Sequence, residues 1–173
     1  ISLGGSFASE RIEDYYQTPW DLGYGRLVKF DHEFVGRDAL ERLAGEPHRR
    51  KVWLRWDRDA VLGVFASMLG SDEPAKYMDV PAAHYATLPF DSVLAGGELV
   101  GLSTYPVYTA NVRDWFSLAM VDEAYAEDGA ELAIVWGEPG GGTTKPVVER
   151  HRQVEIPAVL CTVSPARRDA CTA

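Results

Sequence analysis

After Pro47 the chain alternates apolar and polar positions in short runs. Val52, Leu54 and Trp56 interleave with Trp53 and Arg55, the period of two that marks a half-buried strand. Val61 to Leu69 reads as a second strand with a bulge at Gly63. Val93-Leu94 and Leu99-Val100 flank Ala95-Gly96-Gly97-Glu98, whose paired glycines suit a tight hairpin turn. Ser117 to Val121 and Glu131 to Trp136 flank a turn at Asp128-Gly129, and Lys145 to Glu149 and Val154 to Val163 complete the series. Short strands punctuated by Gly and Pro predict an antiparallel barrel or sandwich over 48–163.

Before Pro47 the pattern differs. Ser9 is placed to cap a helical turn over Glu10 to Asp14, whose carboxylates favour the helix dipole, and Pro19 stops it. The apolar run Leu27-Val28-Lys29-Phe30 predicts a strand. Ala39, Leu40 and Leu43 share one face of a helix over 37–44, with Asp38 in its first turn and Gly45 as its stop. The expected fold is therefore mainly β, with a small α+β N-terminal appendage over 1–46 and a C-terminal antiparallel β-barrel over 47–173. The boundary falls at Gly45-Glu46-Pro47.

Composition narrows the function classes. A net charge of −9 over 173 residues excludes a basic nucleic-acid face. Arg49-Arg50-Lys51 and Arg167-Arg168 read as solvated element ends. No apolar run approaches the ~20 residues that span a bilayer, and no charged n-region precedes an apolar stretch. Cys161 and Cys171 lack metal-ligand spacing and fit a reducing setting, so a cytoplasmic location is expected; the spacing allows a disulfide but does not indicate one. The chain begins at Ile1, which reads as a fragment or a processed piece.

Several motifs resolve into bland readings. Gly137 to Lys145 lacks the Lys directly after the last Gly and the helix that a phosphate loop requires, so it reads as a flexible hairpin. Gly23-Tyr24-Gly25 precedes a predicted strand and has no third Gly of a dinucleotide fingerprint. His32, His48, His84 and His151 have no partner at i+3 or i+4, so no metal site is expected. His151 is read as facing outward from a polar strand. No Gly-x-Ser-x-Gly elbow supplies a hydrolase nucleophile. Tyr15, Tyr16, Trp20 and Tyr24 cluster with Asp14, Asp21 and Arg26 between them. That set either seals two elements together or walls a flat heteroaromatic ligand.

Thr18-Pro19-Trp20-Asp21-Leu22-Gly23-Tyr24-Gly25-Arg26, followed by Phe34-Val35-Gly36-Arg37-Asp38-Ala39-Leu40, resembles a junction of the glycine-cleavage T-protein (aminomethyltransferase) superfamily. Ser2 to Phe7, Ile12 to Tyr16, Lys29 to Arg37, Ser117 to Asp122, Trp136 to Glu138 and Lys145 to Gln153 are similar to the vanillate and syringate O-demethylase branch. The resemblance implies a T-protein-type C-terminal barrel and the tail of a folate-binding core. It implies tetrahydrofolate as cofactor, with a methyl group passing from an aryl methyl ether to folate N5 and a proton reaching the departing phenolate. An aminomethyltransferase and a non-catalytic assembly module are the alternatives.

The family's catalytic acid, arginine and tyrosines lie in segments N-terminal to those matched here, so no catalytic residue carries over and the chain alone is expected to be inactive. Arg26 stands where T-proteins place a tryptophan beside the folate, with Tyr24 nearby. Tyr24 and Arg26 are accordingly the cofactor-side candidates. The implied partners are the N-terminal folate-binding portion, or a subunit carrying it, and a small-molecule methyl donor, with no nucleic acid and no membrane. The outer flank of residues 1–45 should be apolar and should meet that partner.

Overall fold

The computed structural model describes residues 3–82, 86, 88–142, 146 and 148–164. Readings that involve Ser2, His84, Lys145, Val147, Arg167, Arg168 or Cys171 fall, at those positions, outside the described residues.

Six strands close into an antiparallel barrel: β2 (Arg49–Trp56), β4 (Asp91–Ala95), β5 (Glu98–Thr109), β6 (Asp114–Asp122), β7 (Glu131–Trp136) and β8 (Val154–Cys161). Around the wall the order is β2-β6-β5-β4-β7-β8, and β8 pairs with β2 to complete the circle. Closure removes every free edge. Val52, Leu54 and Trp56 point inward as their alternation predicts, against Val93, Ile134, Ile156 and Leu160. The Trp56 and Trp136 rings meet edge to face at 5.5 Å, and the Trp56 indole donates to the Ser117 hydroxyl at 2.9 Å. Gly96 and Gly97 adopt φ of 57° and 89°, the left-handed pair that a two-residue hairpin between β4 and β5 requires.

Four readings are corrected here. The run from Val61 to Leu69 is not a strand: α2 spans Arg58–Ser67. Asp57 caps it by accepting from the Ala60 amide at 2.8 Å, and buried Val61 and Val64 fall on one face. Leu27 to Phe30 forms no strand, since Gly25–Leu27 is a 3-10 turn followed by irregular chain. Over 148–149, within the stretch read as a strand from Lys145, the chain is irregular. Cys161 is disulfide-bonded instead of free.

The first residues dock on the barrel. A short β1 (Leu3–Gly4) runs parallel to β3 (Leu88–Pro89), and the Phe7 amide donates to the Phe90 carbonyl at 3.0 Å. Gly5, at φ 94°, lies so close to this partner that a Cβ there would stand 2.1 Å from the Phe90 carbonyl oxygen. Tyr15, at the end of the 3-10 turn Ile12–Tyr15, packs on Phe7 and Phe90. Helix α1 (Arg37–Leu43) follows Gly36 at φ 92° and buries none of its residues. No helix among the described residues is long and apolar enough to cross a membrane.

Candidate functional site

The Thr18-Pro19-Trp20-Asp21 turn is fastened to the start of β2. The Asp21 carboxylate accepts from the Thr18 amide at 2.7 Å and the Thr18 hydroxyl at 2.8 Å. Its other oxygen accepts from the Arg49 amide at 2.9 Å. Trp20 stacks on His48 with 4.8 Å between centroids and 6° between planes. A cavity of about 570 Å³ opens beside this staple, lined by Asp14, Asp21, His48, Arg49, Asp122 and Glu123 among others.

The aromatics singled out from sequence do not form one wall. Tyr15 belongs to the seal with Phe90, and Trp20 belongs to the stack on His48. Tyr24 is 54% exposed and carries the Lys51 ammonium 5.2 Å from its ring centroid. Arg26 is exposed two positions away, on the 3-10 turn. Ile12, Tyr16, Leu27 and Val35 are exposed too, so the outer side of residues 3–45 presents large apolar groups to solvent.

A buried polar centre lies beneath the docking strands, and sequence reasoning did not find it. Lys76 is fully buried, with its Nζ 3.5 Å from Glu138 Oε1 and 5.3 Å from the Trp136 ring centroid. Asp91, on β4, accepts from the Ser6 amide at 3.1 Å, while its Oδ2 has no hydrogen-bond partner. Burial pushes the Asp91 carboxyl up to about 6, against the pull of the Lys76 charge and the Ser6 amide. One signal was available for Asp91: it shares the inward period of β4 with Val93.

The glycine loop completes this region. His151 is buried, not outward-facing: its Nε2 accepts from the Glu138 amide at 2.8 Å, so the proton sits on Nδ1, 2.8 Å from the Glu149 carbonyl oxygen. Gly137, Gly141 and Gly142 are packed against it, and a Cβ on Gly141 would stand 2.5 Å from the His151 carbonyl oxygen. Among the described residues no cluster of His, Cys, Asp or Glu has the makings of a metal site.

Asp91 carries a pH prediction. Its carboxyl rises from an ordinary 3.8 to about 6, so the folded state holds its proton more tightly than the unfolded state. That contribution is complete below about pH 3.8 and is lost as pH rises through about 6. Asp91→Asn should therefore gain on the parent by about 2 kcal/mol between pH 4 and pH 7. Paired urea denaturation curves at the two pH values measure this, and a gap that stays constant would contradict it.

No family model matches the chain. It is 49% identical to a syringate O-demethylase from Sphingobium sp. over 162 residues, covering 94% of this chain and 35% of that protein. It is 38% identical to a sesamin methylene transferase from Sinomonas sp. over 74% of this chain and 30% of the relative. An aminomethyltransferase from Streptomyces coelicolor matches at 34% identity over 66% of the chain and 26% of the relative. The chain thus spans about a third of the length of these relatives.

Proposed function

We propose, from the membership of this chain in the glycine-cleavage T-protein superfamily, that it is the barrel-bearing C-terminal portion of a tetrahydrofolate-dependent one-carbon transferase. The donor we assign is an aryl methyl ether. The observation that carries this choice is the 49% identity to a syringate O-demethylase over nearly the whole chain, against 34% for the aminomethyltransferase. The domain division at 45–47 belongs to the same reading.

Tetrahydrofolate, when bound, supplies N5 as the acceptor of the one-carbon unit. The residues present here fit an edge contact with it. Tyr24 offers an accessible ring face, and Arg26 and Lys51 offer cations close by for a carboxylate-bearing tail. They do not enclose such a ligand: none of the three described cavities is lined by Tyr24 or Arg26. The remaining walls would come from the N-terminal folate-binding portion, seated against the apolar outer side of residues 3–45. Large apolar side chains exposed on one segment, as Ile12, Tyr16, Leu27 and Val35 are, support an interaction surface there.

Tyr24→Ala should therefore weaken association with that portion by about tenfold while shifting the barrel's melting point little, because Tyr24 lies outside the core. Trp20→Ala is less diagnostic, since it also removes the stack on His48. Size-exclusion binding and thermal unfolding of the Tyr24 variant separate the outcomes. Normal association with a collapsed melt would make Tyr24 an ordinary structural residue.

The function itself is tested by comparing donors. The longer polypeptide, supplied with tetrahydrofolate and either syringate, vanillate or an aminomethyl-lipoyl carrier, should yield methylated folate from an aryl ether. Turnover of the aminomethyl carrier alone would favour the aminomethyltransferase.

A further inference from the structure

We propose that residues 3–7 form a pH-released strap, latched on the barrel through the Asp91 carboxyl and freed as that carboxyl ionises. The strap is held mainly by its backbone. The Phe90 amide donates to the Gly4 carbonyl at 2.8 Å, and the Phe7 amide donates to the Phe90 carbonyl at 3.0 Å. Ser6, between them, meets β4 twice. Its amide donates to Asp91 Oδ1 at 3.1 Å, and its hydroxyl accepts from the Ser92 amide at 2.8 Å.

The apolar contacts of the strap are few and lie apart from the barrel interior. Leu3, Phe7, Tyr15 and Leu88 pack on Phe90, Leu102 and Met120. A separate cluster, which includes Leu54, Ile134 and Trp136, fills the barrel. A segment with few apolar contacts and a small cluster of its own opens at a lower free energy than global unfolding. Opening of the strap therefore leaves the barrel closed and uncovers the face made by Phe90, Leu102 and Met120.

Asp91 couples this opening to pH. One of its oxygens meets the strap, while the buried Oδ2 has no hydrogen-bond partner. A half-satisfied carboxylate in a dry site is costly, and the neutral acid less so. The charged groups acting on it are Lys76, which favours the carboxylate, and Glu138, which opposes it. Residues 3–7 bring no ionisable side chain, Ser103 opposite on β5 is uncharged, and His151 meets Glu138 through the backbone amide. Burial outweighs Lys76 and the Ser6 amide, and holds the carboxyl at about 6 while the strap is docked. Opening readmits water on the Ser6 side, so the carboxyl falls back towards its ordinary 3.8. The preference for docking is complete below about pH 3.8 and is lost as pH rises through about 6.

The latch does not depend on one-carbon transfer, and its test reads no turnover. Amide hydrogen exchange of the chain is followed at pH 5 and pH 7 and corrected for the intrinsic base-catalysed rate. The Ser6, Phe7, Phe90 and Ser92 amides should exchange well ahead of those in the β7–β8 ladder, with a weak dependence on urea. Their protection factors should fall about tenfold from pH 5 to pH 7. In Asp91→Asn and Asp91→Ser, neither of which ionises at this position, the fall should be below about twofold. Strap amides that exchange only together with the ladder would overturn the proposal, because opening would then be global unfolding. So would parent protection factors that are equal at the two pH values, or a fall as large in the variants as in the parent.

Discussion

Lys76→Met should destabilise the chain by about 3–5 kcal/mol at pH 7, although the new side chain has nearly the same volume. Lys76 is fully buried, and it is the cation facing Glu138 at 3.5 Å and acting on Asp91. Removing it takes the Lys76 charge away from two carboxyls that are 1% and 5% exposed. A charge stranded in this way costs far more than the pair contributes when intact, because desolvation is no longer offset. The loss should shrink towards pH 5, where Asp91, already raised to about 6, takes up its proton. Denaturant unfolding at pH 5 and pH 7 measures both quantities. A pH-independent loss below 1 kcal/mol would mean that the cluster is solvated in solution.

The second large effect concerns turnover. This chain alone should transfer no measurable methyl group to tetrahydrofolate, whereas joining it to the N-terminal portion should raise the rate by several orders of magnitude. Alignment of two reactants accounts for factors of that size, and it requires walls on both sides of them. On the reading proposed above, Tyr24 and Arg26 would meet only one edge of the folate, and both lie on an open surface. Single-turnover assays with and without the N-terminal portion compare the two states. Methyl transfer by the isolated chain would contradict the division of labour.

Much of the barrel was legible because strands half-buried on one face advertise themselves by a period of two. Val52, Leu54 and Trp56 are the clearest case, and the Gly96-Gly97 turn fixed one hairpin. Helix α2 was misread because Val61, Val64 and Phe65 satisfy an apolar run as readily as a helical face. Asp57, its cap, was the overlooked signal. Leu27 to Phe30 has strand composition but no strand to pair with, and composition cannot supply a partner.

The site was less legible for a related reason. Tyr24 and Arg26 are candidates through local spacing and resemblance alone. Lys76 sits in Pro74-Ala75-Lys76-Tyr77, which has no periodicity to show which way a side chain faces; its burial depends on β7 and the loop at Glu138. His151 looked outward in an alternating polar run. It is buried because Gly137, Gly141 and Gly142 allow their backbone to close over it.

The central claim, methyl transfer from an aryl ether to tetrahydrofolate by a protein of which this chain is the C-terminal part, is tested most directly by following the carbon. Syringate labelled with ¹³C in its methoxy groups, incubated with the longer polypeptide and tetrahydrofolate, should give a ¹³C resonance for an N5-methyl group on folate together with the demethylated phenol in equal amount. Label recovered as methanol or formaldehyde, with the folate unlabelled, would contradict the account.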